Sequence, residues 1–430
     1  GVLDTFGLAI AWSGDALLIG ARYDDTAAED AGAVYVFREI AGVWTLVDTL
    51  LPEPAESRQW FGSSIAVDAS TQTLLIGAGG EDSVDTDSGA AYVYASNGAG
   101  GWTSPQRLVP TELVVRAKLG ETCAIDGDVL ALGAPFENNE MGGVAGTVYV
   151  YERDGLGVWQ SSARIVSSFP FDGGLFGSGL DVRGDTIVVG APFLGLSFVP
   201  GFAYVFRRDA GGTWTTPQVI ENPFTPQARD RFGTSVLLID DALVVGSPRV
   251  PPPLAGMFST WASDAGGPYA GVGFHFADDS TYNDRLGVAL AFSNGTLAVA
   301  ANNHADIGAA YLYNFNAATH LAEYLAKIVP PDGGVGDSFG SEIAMRGDLI
   351  AIGSPFHDEI AEDSGAVYVY RLVPGPIGDV DGDCDVDLGD LALLLTRFGT
   401  AAAIGDLDGN GFVDLTDLAM LLTNFGTQCD

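Results

Sequence analysis

The sequence predicts a mainly β protein: a seven-bladed β-propeller followed by a small α-helical C-terminal domain of two calcium loop–helix motifs. Two observations lead to this fold class. A unit of Phe/Leu-Gly, an apolar stretch, a tight turn and a second glycine-containing apolar run recurs at spacings of 55, 58, 57, 56, 54 and 53 residues, and a run of alternating aspartates occurs twice, 27 residues apart. A period of this length is typical of an array or a closed ring of similar units. The seven units begin at Phe6, Phe61, Leu119, Phe176, Phe232, Leu286 and Phe339.

Composition narrows the class of protein. The 430-residue chain is too long for one ordinary core, so at least two domains are expected. Its 19 basic and 56 acidic residues give a formal net charge of -37, which disfavours nucleic acid and anionic lipid as partners and suits divalent cations. No apolar run reaches the ~18 residues of a membrane-spanning helix. No signal peptide is visible, but the chain begins at Gly1 without methionine, so we expect a leader to have been removed and the protein to be extracellular or at the cell surface.

The seventh unit illustrates how each unit becomes a blade. Its first strand ends at the turn Arg346-Gly347-Asp348, the second follows at 349–353, and a polar loop at 356–364 leads to a third apolar run at 366–370. Two strands around a glycine-containing turn predict a hairpin. The second and third runs are continuously apolar, which is typical of strands covered on both faces. Radial stacking of one sheet against the next provides that cover, so the units predict propeller blades.

A fourth strand marked by tryptophan follows in most units, at Trp44, Trp102, Trp159 and Trp214. The seventh unit lacks it and runs from Tyr370 directly into a Pro/Gly linker at 374–378. This blade therefore has three strands, or sequence upstream of Gly1 completes it; we favour the second interpretation. Unit five is irregular at 250–273, where prolines precede several aromatic residues.

The units at 1–373 resemble the FG-GAP repeat family, whose integrin-α-like members form seven-bladed β-propellers. The resemblance depends on the Phe-Gly starts, on Gly-Ala-Pro at 133–135 and 190–192, and on Gly-Ser-Pro at 246–248 and 353–355. Units one, two and six depart from the last motif. The turns that carry Arg183-Gly184-Asp185 and Arg346-Gly347-Asp348 are interpreted as hairpin turns, too short for the calcium loops that integrin blades carry there.

The aspartate runs place oxygen ligands at positions 1, 3, 5, 9 and 12 of two loops, with position 7 offering a backbone carbonyl. Calcium binds six to eight oxygens at such spacing, because a tight loop turns alternate residues towards one ion. The two segments share 15 of 22 aligned residues, and each is followed by a predicted amphipathic helix, at 391–398 and 418–425. The predicted ligands of the two calcium ions are Asp379, Asp381, Asp383, Asp385, Asp387, Asp390, Asp406, Asp408, Asn410, Phe412, Asp414 and Asp417.

This duplicated loop–helix pattern resembles a type I dockerin over about 379–427, and we assign 379–430 to a dockerin-like domain. The resemblance implies a cohesin-like protein or cell-surface scaffold as partner. In dockerins the positions of Leu388-Gly389 and Leu415-Thr416 often contact the partner, and here they are mostly apolar. Cys384 replaces the usual glycine of loop one. The alternative is a calcium-stapled cap that packs on the propeller, and the sequence leaves both open.

The three cysteines have different expected roles. Cys123 falls in a column that is otherwise apolar in every unit, which predicts a buried thiol acting as a small hydrophobe. Cys384 and Cys429 lie in the first calcium loop and just after the second helix. Two-fold packing of the halves would bring them together, so we predict a disulfide in an oxidising compartment.

Candidate ligand contacts in the propeller are few. Asp181 stands in a column of mostly small residues on the first strand, and Glu121 and Glu342 are near it in the pattern, so the central channel would hold carboxylates. Such an acid pair serves glycosidic chemistry only at a suitable separation, and solvated channel carboxylates are the plainer interpretation. In unit five Phe258, Trp261 and Tyr269 are candidate contacts for a sugar or protein, or pack under their own loop.

Other polar residues receive plainer interpretations. His304 and His357 are expected to be solvated loop histidines. The loops between strands two and three are acidic and are expected to form a solvated face with at most weak cation binding. They contain Asp24, Asp25, Glu29 and Asp30 in unit one, Glu81, Asp82, Asp85 and Asp87 in unit two, and Asp358, Glu359, Glu362 and Asp363 in unit seven.

These features favour a secreted, non-catalytic binding or adhesion protein. Its propeller would present a loop-built face to a polysaccharide or protein ligand, and its calcium-dependent tail would dock to a partner. Two alternatives remain: a polysaccharide-active enzyme of an extracellular complex that uses the channel carboxylates, and a structural cell-surface component. A propeller fold alone does not choose among them.

Overall fold

The computed structural model describes residues 2–428 apart from short gaps at 99, 140–142, 169–171, 194–199, 223–229, 251–254, 265, 359–360, 374–375, 381–384, 401–404 and 409–411. The chain forms two compact units, Gly1–Val369 and Tyr370–Asp430. Cys384 and Cys429, Asp381 and Asp383, Asn410 and Glu359 lie outside the described residues. No described helix has the length and apolar character needed to cross a membrane.

The first unit is the predicted seven-bladed propeller, with one antiparallel sheet per repeat. Blades one to six have four strands in sequence order, and blade seven has three. Blade three also carries a two-stranded ribbon, β11 and β12, between its second and third strands. The strands are β1 (Ala9–Ser13), β2 (Ala16–Ala21), β3 (Ala33–Ile40) and β4 (Val43–Leu50); β5 (Phe61–Asp68), β6 (Thr73–Ala78), β7 (Ala90–Ala95) and β8 (Gln106–Leu108); β9 (Thr122–Asp126), β10 (Val129–Ala134), β11 (Asn138–Asn139), β12 (Gly143–Val144), β13 (Thr147–Arg153) and β14 (Trp159–Val166); β15 (Gly179–Arg183), β16 (Thr186–Ala191), β17 (Phe202–Arg207) and β18 (Gln218–Glu221); β19 (Val236–Ile239), β20 (Ala242–Ser247), β21 (Met257–Ser263) and β22 (Tyr269–His275); β23 (Leu286–Ser293), β24 (Thr296–Ala301), β25 (Ala309–Asn316) and β26 (Leu321–Ile328); and β27 (Ile343–Arg346), β28 (Leu349–Ser354) and β29 (Ala366–Arg371).

Glycine on the second strand of six of the seven blades sets the distance to the next blade. A Cβ at Gly77 would lie 1.9 Å from the carbonyl oxygen of Gly120, the glycine of the following Leu-Gly start. The same approach recurs at Gly20, Gly133, Gly190, Gly246 and Gly353, where the corresponding distance is between 1.8 and 2.3 Å. A side chain would push the sheets apart, so this glycine is the physical reason for the repeated Gly-Ala and Gly-Ser motif. Blade six has Ala300 at this position.

Blade seven is joined to the N-terminal segment by the same kind of backbone hydrogen bonds that join neighbouring blades elsewhere in the ring. Backbone N–H groups of Leu3 and Phe6 donate to the carbonyls of Glu362 and Ser364 on the loop of blade seven, at 2.8 and 3.2 Å. The segment at 58–61 makes equivalent bonds to the loop of blade one, at 2.8 and 2.9 Å. The junction that closes the ring therefore has the same hydrogen bonds as a junction inside it. The N-terminal segment holds one side of the three-stranded blade seven.

Unit five corrects the sequence interpretation, because its aromatic stretch is no surface insertion. Residues 257–263 and 269–275 form β21 and β22, the third and fourth strands of a regular blade. Phe258 and Tyr269 are buried, and Trp261 is half-buried against a core cluster. The prediction that these three rings contact a ligand is wrong for Phe258 and Tyr269, since their surfaces are already covered by neighbouring blades.

The second unit contains two helices, α1 (Leu388–Arg397) and α2 (Leu415–Thr423). Each begins three residues before the predicted start, because Asp387 and Asp414 cap them and the aspartate three residues later completes a capping box. Its core includes four fully buried side chains, those of Val386, Leu394, Val413 and Leu421.

Candidate functional site

Two clusters of carboxylates lie at the starts of α1 and α2. One oxygen from each of Asp385, Asp387 and Asp390 lies within 4.8 Å of the others. Asp406, Asp408 and Asp417 form a second cluster of the same kind in the other loop. Among the described residues these are the only such groups, and none lies in a propeller loop.

The last aspartate of each loop is buried and held by backbone donors. The carboxylate of Asp390 accepts the N–H groups of Val380 and Asp387, at 2.5 and 2.7 Å. Asp417 accepts those of Leu407 and Asp414, at 2.6 and 2.7 Å. Burial raises the pKa of the Asp417 carboxyl, but the backbone N–H groups outweigh it and the net pKa lies below its usual value. Both side chains are 0% exposed, whereas the other two carboxylates of each cluster are half-buried or exposed.

The donor set suits a hard cation. Carboxylate oxygens are the ligands that calcium and magnesium prefer, and a buried carboxylate grouped with two others is stabilised by a positive charge nearby. The clusters differ in which loop positions meet. In loop one the side chain of Asp385, at position 7, joins the cluster, whereas its backbone carbonyl was the predicted ligand. In loop two the Asp414 carboxylate caps α2 through the N–H of Thr416, at 2.7 Å.

The remaining predicted ligands occupy varied places. Asp379 lies in a turn and donates its N–H to Pro376, at 2.9 Å. The side chain of Phe412 is exposed. Asp381, Asp383 and Asn410 fall outside the described residues, so their part in the sites stays a prediction.

Two leucines are exposed at equivalent positions of the two helices. Leu388 is 70% exposed at the start of α1, and Leu415 is 73% exposed at the start of α2. Both directly follow an N-cap aspartate. Apolar side chains at matching exposed positions of a duplicated motif are candidates for contact with another protein.

Some of the acidic propeller residues are structural. Asp25, Asp82 and Asp358 each accept the N–H group five residues later, at 2.8 Å, which closes a tight turn. Glu81 and Glu137 are buried and each is bound by a tyrosine and an arginine. Tyr149 and Arg164 face each other across β13 and β14 and donate to Glu137, at 3.0 and 2.8 Å. The acid three residues beyond the Gly-Ala pair is therefore a link to the outer strands, a role that the sequence interpretation missed.

His304 and His357 occupy the same loop position and are buried, so the expectation that they are solvated is wrong. Nδ1 of His304 lies 2.9 Å from the carboxylate of Asp284, and Nδ1 of His357 lies 2.6 Å from that of Asp337. Each aspartate stands two residues before the Leu-Gly or Phe-Gly start of its blade. These pairs connect the loop after the second strand to the segment that precedes the first strand of the same blade.

The first strands surround a central cavity of about 370 Å³ whose lining includes Glu121, Cys123, Asp181 and Glu342. The carboxylate of Asp181 accepts the N–H groups of Leu238 and Val182, at 2.7 and 2.9 Å. Burial raises its pKa to about 6, and burial raises that of Glu342 to about 7. Glu121 pairs with Arg22 at 3.2 Å. Cys123 is half-buried at the wall of this cavity, and burial raises its thiol pKa to about 12.

Comparisons with known proteins agree with this architecture. Residues 2–37, 44–94 and 324–370 match the FG-GAP repeat model, so the chain contains FG-GAP repeats. The fold is similar to that of the RRP9 WD40 repeats, with a TM-score of 0.55, 8% identity, and coverage of 85% of this chain and 94% of that one. It is also similar to a protein from Lactobacillus plantarum, with a TM-score of 0.51, 14% identity, and coverage of 76% and 86%. No curated protein matches the chain. At these identities the structural likeness defines the fold alone.

Proposed function

We propose that the protein is a secreted, non-catalytic binding or adhesion protein. Its propeller presents a ligand-binding surface, and its C-terminal unit is a dockerin-like tail that binds two calcium ions and then docks to a cohesin-like partner or cell-surface scaffold. The observation that carries this proposal is the presence of one carboxylate cluster in each half of the duplicated motif, with the last aspartate of each cluster in the first turn of its helix.

Calcium fits the clusters for chemical and energetic reasons. The sequence supplies further loop oxygens beyond the three in each cluster, which suits the six to eight ligands of calcium better than the compact octahedron of magnesium. The core of the unit, built around four fully buried side chains, is small, and domains of this size generally need a metal or disulfide to fold. At 100 times its dissociation constant, calcium would stabilise the unit by about 2.7 kcal/mol per site.

The exposed Leu388 and Leu415 support a protein partner for the tail. Each lies one residue after an aspartate that caps its helix, so folding of the loop around calcium would fix its position. Docking would then depend on calcium although the contact itself is apolar. An FG-GAP propeller is a further reason to expect protein contacts.

Surface plasmon resonance tests the docking proposal. The full chain is passed over immobilised type I cohesin modules in calcium and in EDTA. Binding in calcium that is lost in EDTA and weakened at least about tenfold by the double change Leu388→Ser and Leu415→Ser supports docking. Leu156→Ser is the matched control, because Leu156 is 91% exposed on the propeller. The proposal is contradicted if the protein in calcium binds none of the modules, or if Leu156→Ser weakens binding as much as the double variant does.

A second candidate function has one specific observation in its favour. Asp181 and Glu342 line one cavity, and burial raises the pKa of both, as a general acid requires. A polysaccharide-active enzyme would release reducing ends from soluble glucans or xylans, and Asp181→Asn or Glu342→Gln would stop that release. Turnover that persists in both variants would exclude the channel as its site.

A further inference from the structure

A cavity of about 560 Å³ lies where the end of blade five meets the outer strands of blade six. Its lining runs from Phe274 to Asp279 at the end of β22 and includes Tyr311, Tyr313, Tyr324 and Lys327 from β25 and β26. The volume is within the ~300–1,000 Å³ of small-molecule sites. The cavity is separate from the central channel, and none of the unit-five rings that the sequence suggested as contacts lines it.

Tyr313 brings an unpaired polar group to the wall of this cavity. Its side chain is 3% exposed, and its hydroxyl has no hydrogen-bond partner among the described residues. The ring packs against Phe258 and Tyr324, with centroids 4.8 and 6.1 Å away. Blades one and four have phenylalanine at this position, so the core requires only the ring. Burying an unpaired hydroxyl costs stability, which is reason to ask what it binds.

A second ring on the wall, that of His275, is neutral. It stacks on Phe258 with centroids 4.6 Å apart, and burial lowers its pKa to about 4. Its Nε2 is buried without a partner among the described residues. The inner wall therefore offers two uncharged polar groups, from Tyr313 and His275, rather than a fixed charge.

The mouth of the cavity combines aromatic surface with donors and acceptors. Tyr324 and Phe276 are 55% and 47% exposed. Beside them the carboxylate of Asp279 accepts the Tyr311 hydroxyl at 2.8 Å and pairs with the ammonium of Lys327. Asp278 is exposed at the same rim.

We propose that this cavity binds a neutral saccharide, with a sugar ring against Tyr324 and Phe276 and its hydroxyls bound by Asp278, Asp279, Lys327 and the Tyr313 hydroxyl. The proposal rests on the proposed function in one respect, that the propeller is the ligand-binding part of the molecule.

The lining favours this ligand class over others. A sugar hydroxyl both donates and accepts, so it suits a rim that holds an ammonium and carboxylates together. The apolar face of a pyranose suits exposed aromatic rings. Lys327 already balances Asp279, which leaves less charge to select an organic cation, and the net charge of -37 opposes acidic sugars.

Calorimetric titration of the full chain with cellohexaose, xylohexaose, mannohexaose and laminarihexaose tests the proposal. At least one is expected to bind, and Tyr324→Ala is expected to weaken that binding at least about tenfold. Leu325→Ala is the matched control, because Leu325 is 49% exposed on the same strand and does not line the cavity. Tyr313→Phe is expected to weaken binding about threefold to tenfold, whereas Tyr151→Phe, which removes a similar buried hydroxyl in blade three, is expected to have no effect.

The titration is repeated in EDTA, where saccharide affinity is expected to be unchanged because no cluster of three or more candidate ligand side chains lies in the described part of the propeller. Failure of all four saccharides overturns the proposal and leaves calcium-dependent docking of the tail intact. Binding that Tyr324→Ala does not weaken also overturns it, as does preferential binding of choline, which would assign the cavity to an organic cation.

Discussion

One channel carboxylate, Glu342, should contribute less to the stability of the propeller above pH 7 than near pH 4. Burial raises its pKa from 4.5 to about 7, and its carboxylate accepts a hydrogen bond from the N–H of Ile343 at 3.3 Å. Between pH 4.5 and about 7, Glu342 is deprotonated in the unfolded chain but still protonated in the folded chain. The contribution of Glu342 to the free energy of unfolding therefore falls as pH rises through this window and is constant on either side of it.

The size of the effect follows from the two pKa values. A difference of about 2.5 corresponds to about 3 kcal/mol at ~1.4 kcal/mol for each pKa unit. Glu342 keeps some exposure to the channel, where water screens its charge, so we expect about 1–3 kcal/mol. Glu342→Gln removes the charge and keeps the shape. At pH 8 it should stabilise the propeller by this amount, and at pH 4 it should have almost no effect.

Urea unfolding at constant calcium, followed by tryptophan fluorescence, measures this difference. All seven tryptophans lie between Trp12 and Trp261, so the signal reports the propeller alone. Glu56→Gln is the control, because Glu56 is exposed. A Glu342→Gln variant that gains nothing at pH 8, or gains equally at pH 4 and pH 8, would refute the reasoning.

Three further predictions concern stability and covalent structure. Arg164→Ala leaves the buried Glu137 carboxylate without its cation and should cost about 3 kcal/mol in urea unfolding, whereas loss of the exposed Arg183–Asp240 pair through Arg183→Ala should cost less than about 1 kcal/mol; equal costs would contradict the assigned role. Gly77→Ala should cost about 2–3 kcal/mol through contact with the next blade, and Gly155→Ala, which meets no atom within 4 Å, should cost under ~1 kcal/mol. Thiol titration of the denatured, unreduced protein should count one free thiol, from Cys123; a count of three would remove the predicted disulfide, for which the described bridge between Asp385 and Gln428 is the structural support.

The propeller was predictable because its repeat has a simple physical cause. Gly77 and its equivalents must lack a side chain for blades to approach, and an aromatic or leucine side chain begins each unit, fully buried in units two to seven and half-buried at Phe6. Because these requirements recur in almost every blade, they produce a repeat that can be recognised in a single sequence. The Arg183-Gly184-Asp185 segment was likewise identifiable as a hairpin turn, and it joins β15 to β16.

Side-chain partners that come from distant strands were harder to predict. In β21, Ser259 and Trp261 replace the usual tyrosines, which hid a regular strand. In the sequence Glu137 resembles any other acidic loop residue. Its role follows only from the pairing of β13 with β14, which places Arg164 opposite Tyr149. The acid three residues after the second strand of blades one to three, at Asp24, Glu81 and Glu137, is a signal in the sequence for this link.

The candidate sites differ in the same way. The predicted calcium loops are local, so their candidate ligands can be proposed from the sequence alone. The participation of Asp385 depends on the path of the backbone and was not foreseen. The cavity of blade six joins Phe276 and Tyr324 from different blades, a proximity that no spacing in the sequence reveals.

Calorimetric titration of the full chain with calcium tests the central claim most directly. Wild type should bind two ions, and Asp390→Ala or Asp417→Ala, each of which removes the buried carboxylate of one cluster, should bind one. Asp128→Ala, on an exposed propeller turn, should still bind two. No calcium uptake by wild type, or uptake that neither cluster variant reduces, would contradict the account of a calcium-dependent tail.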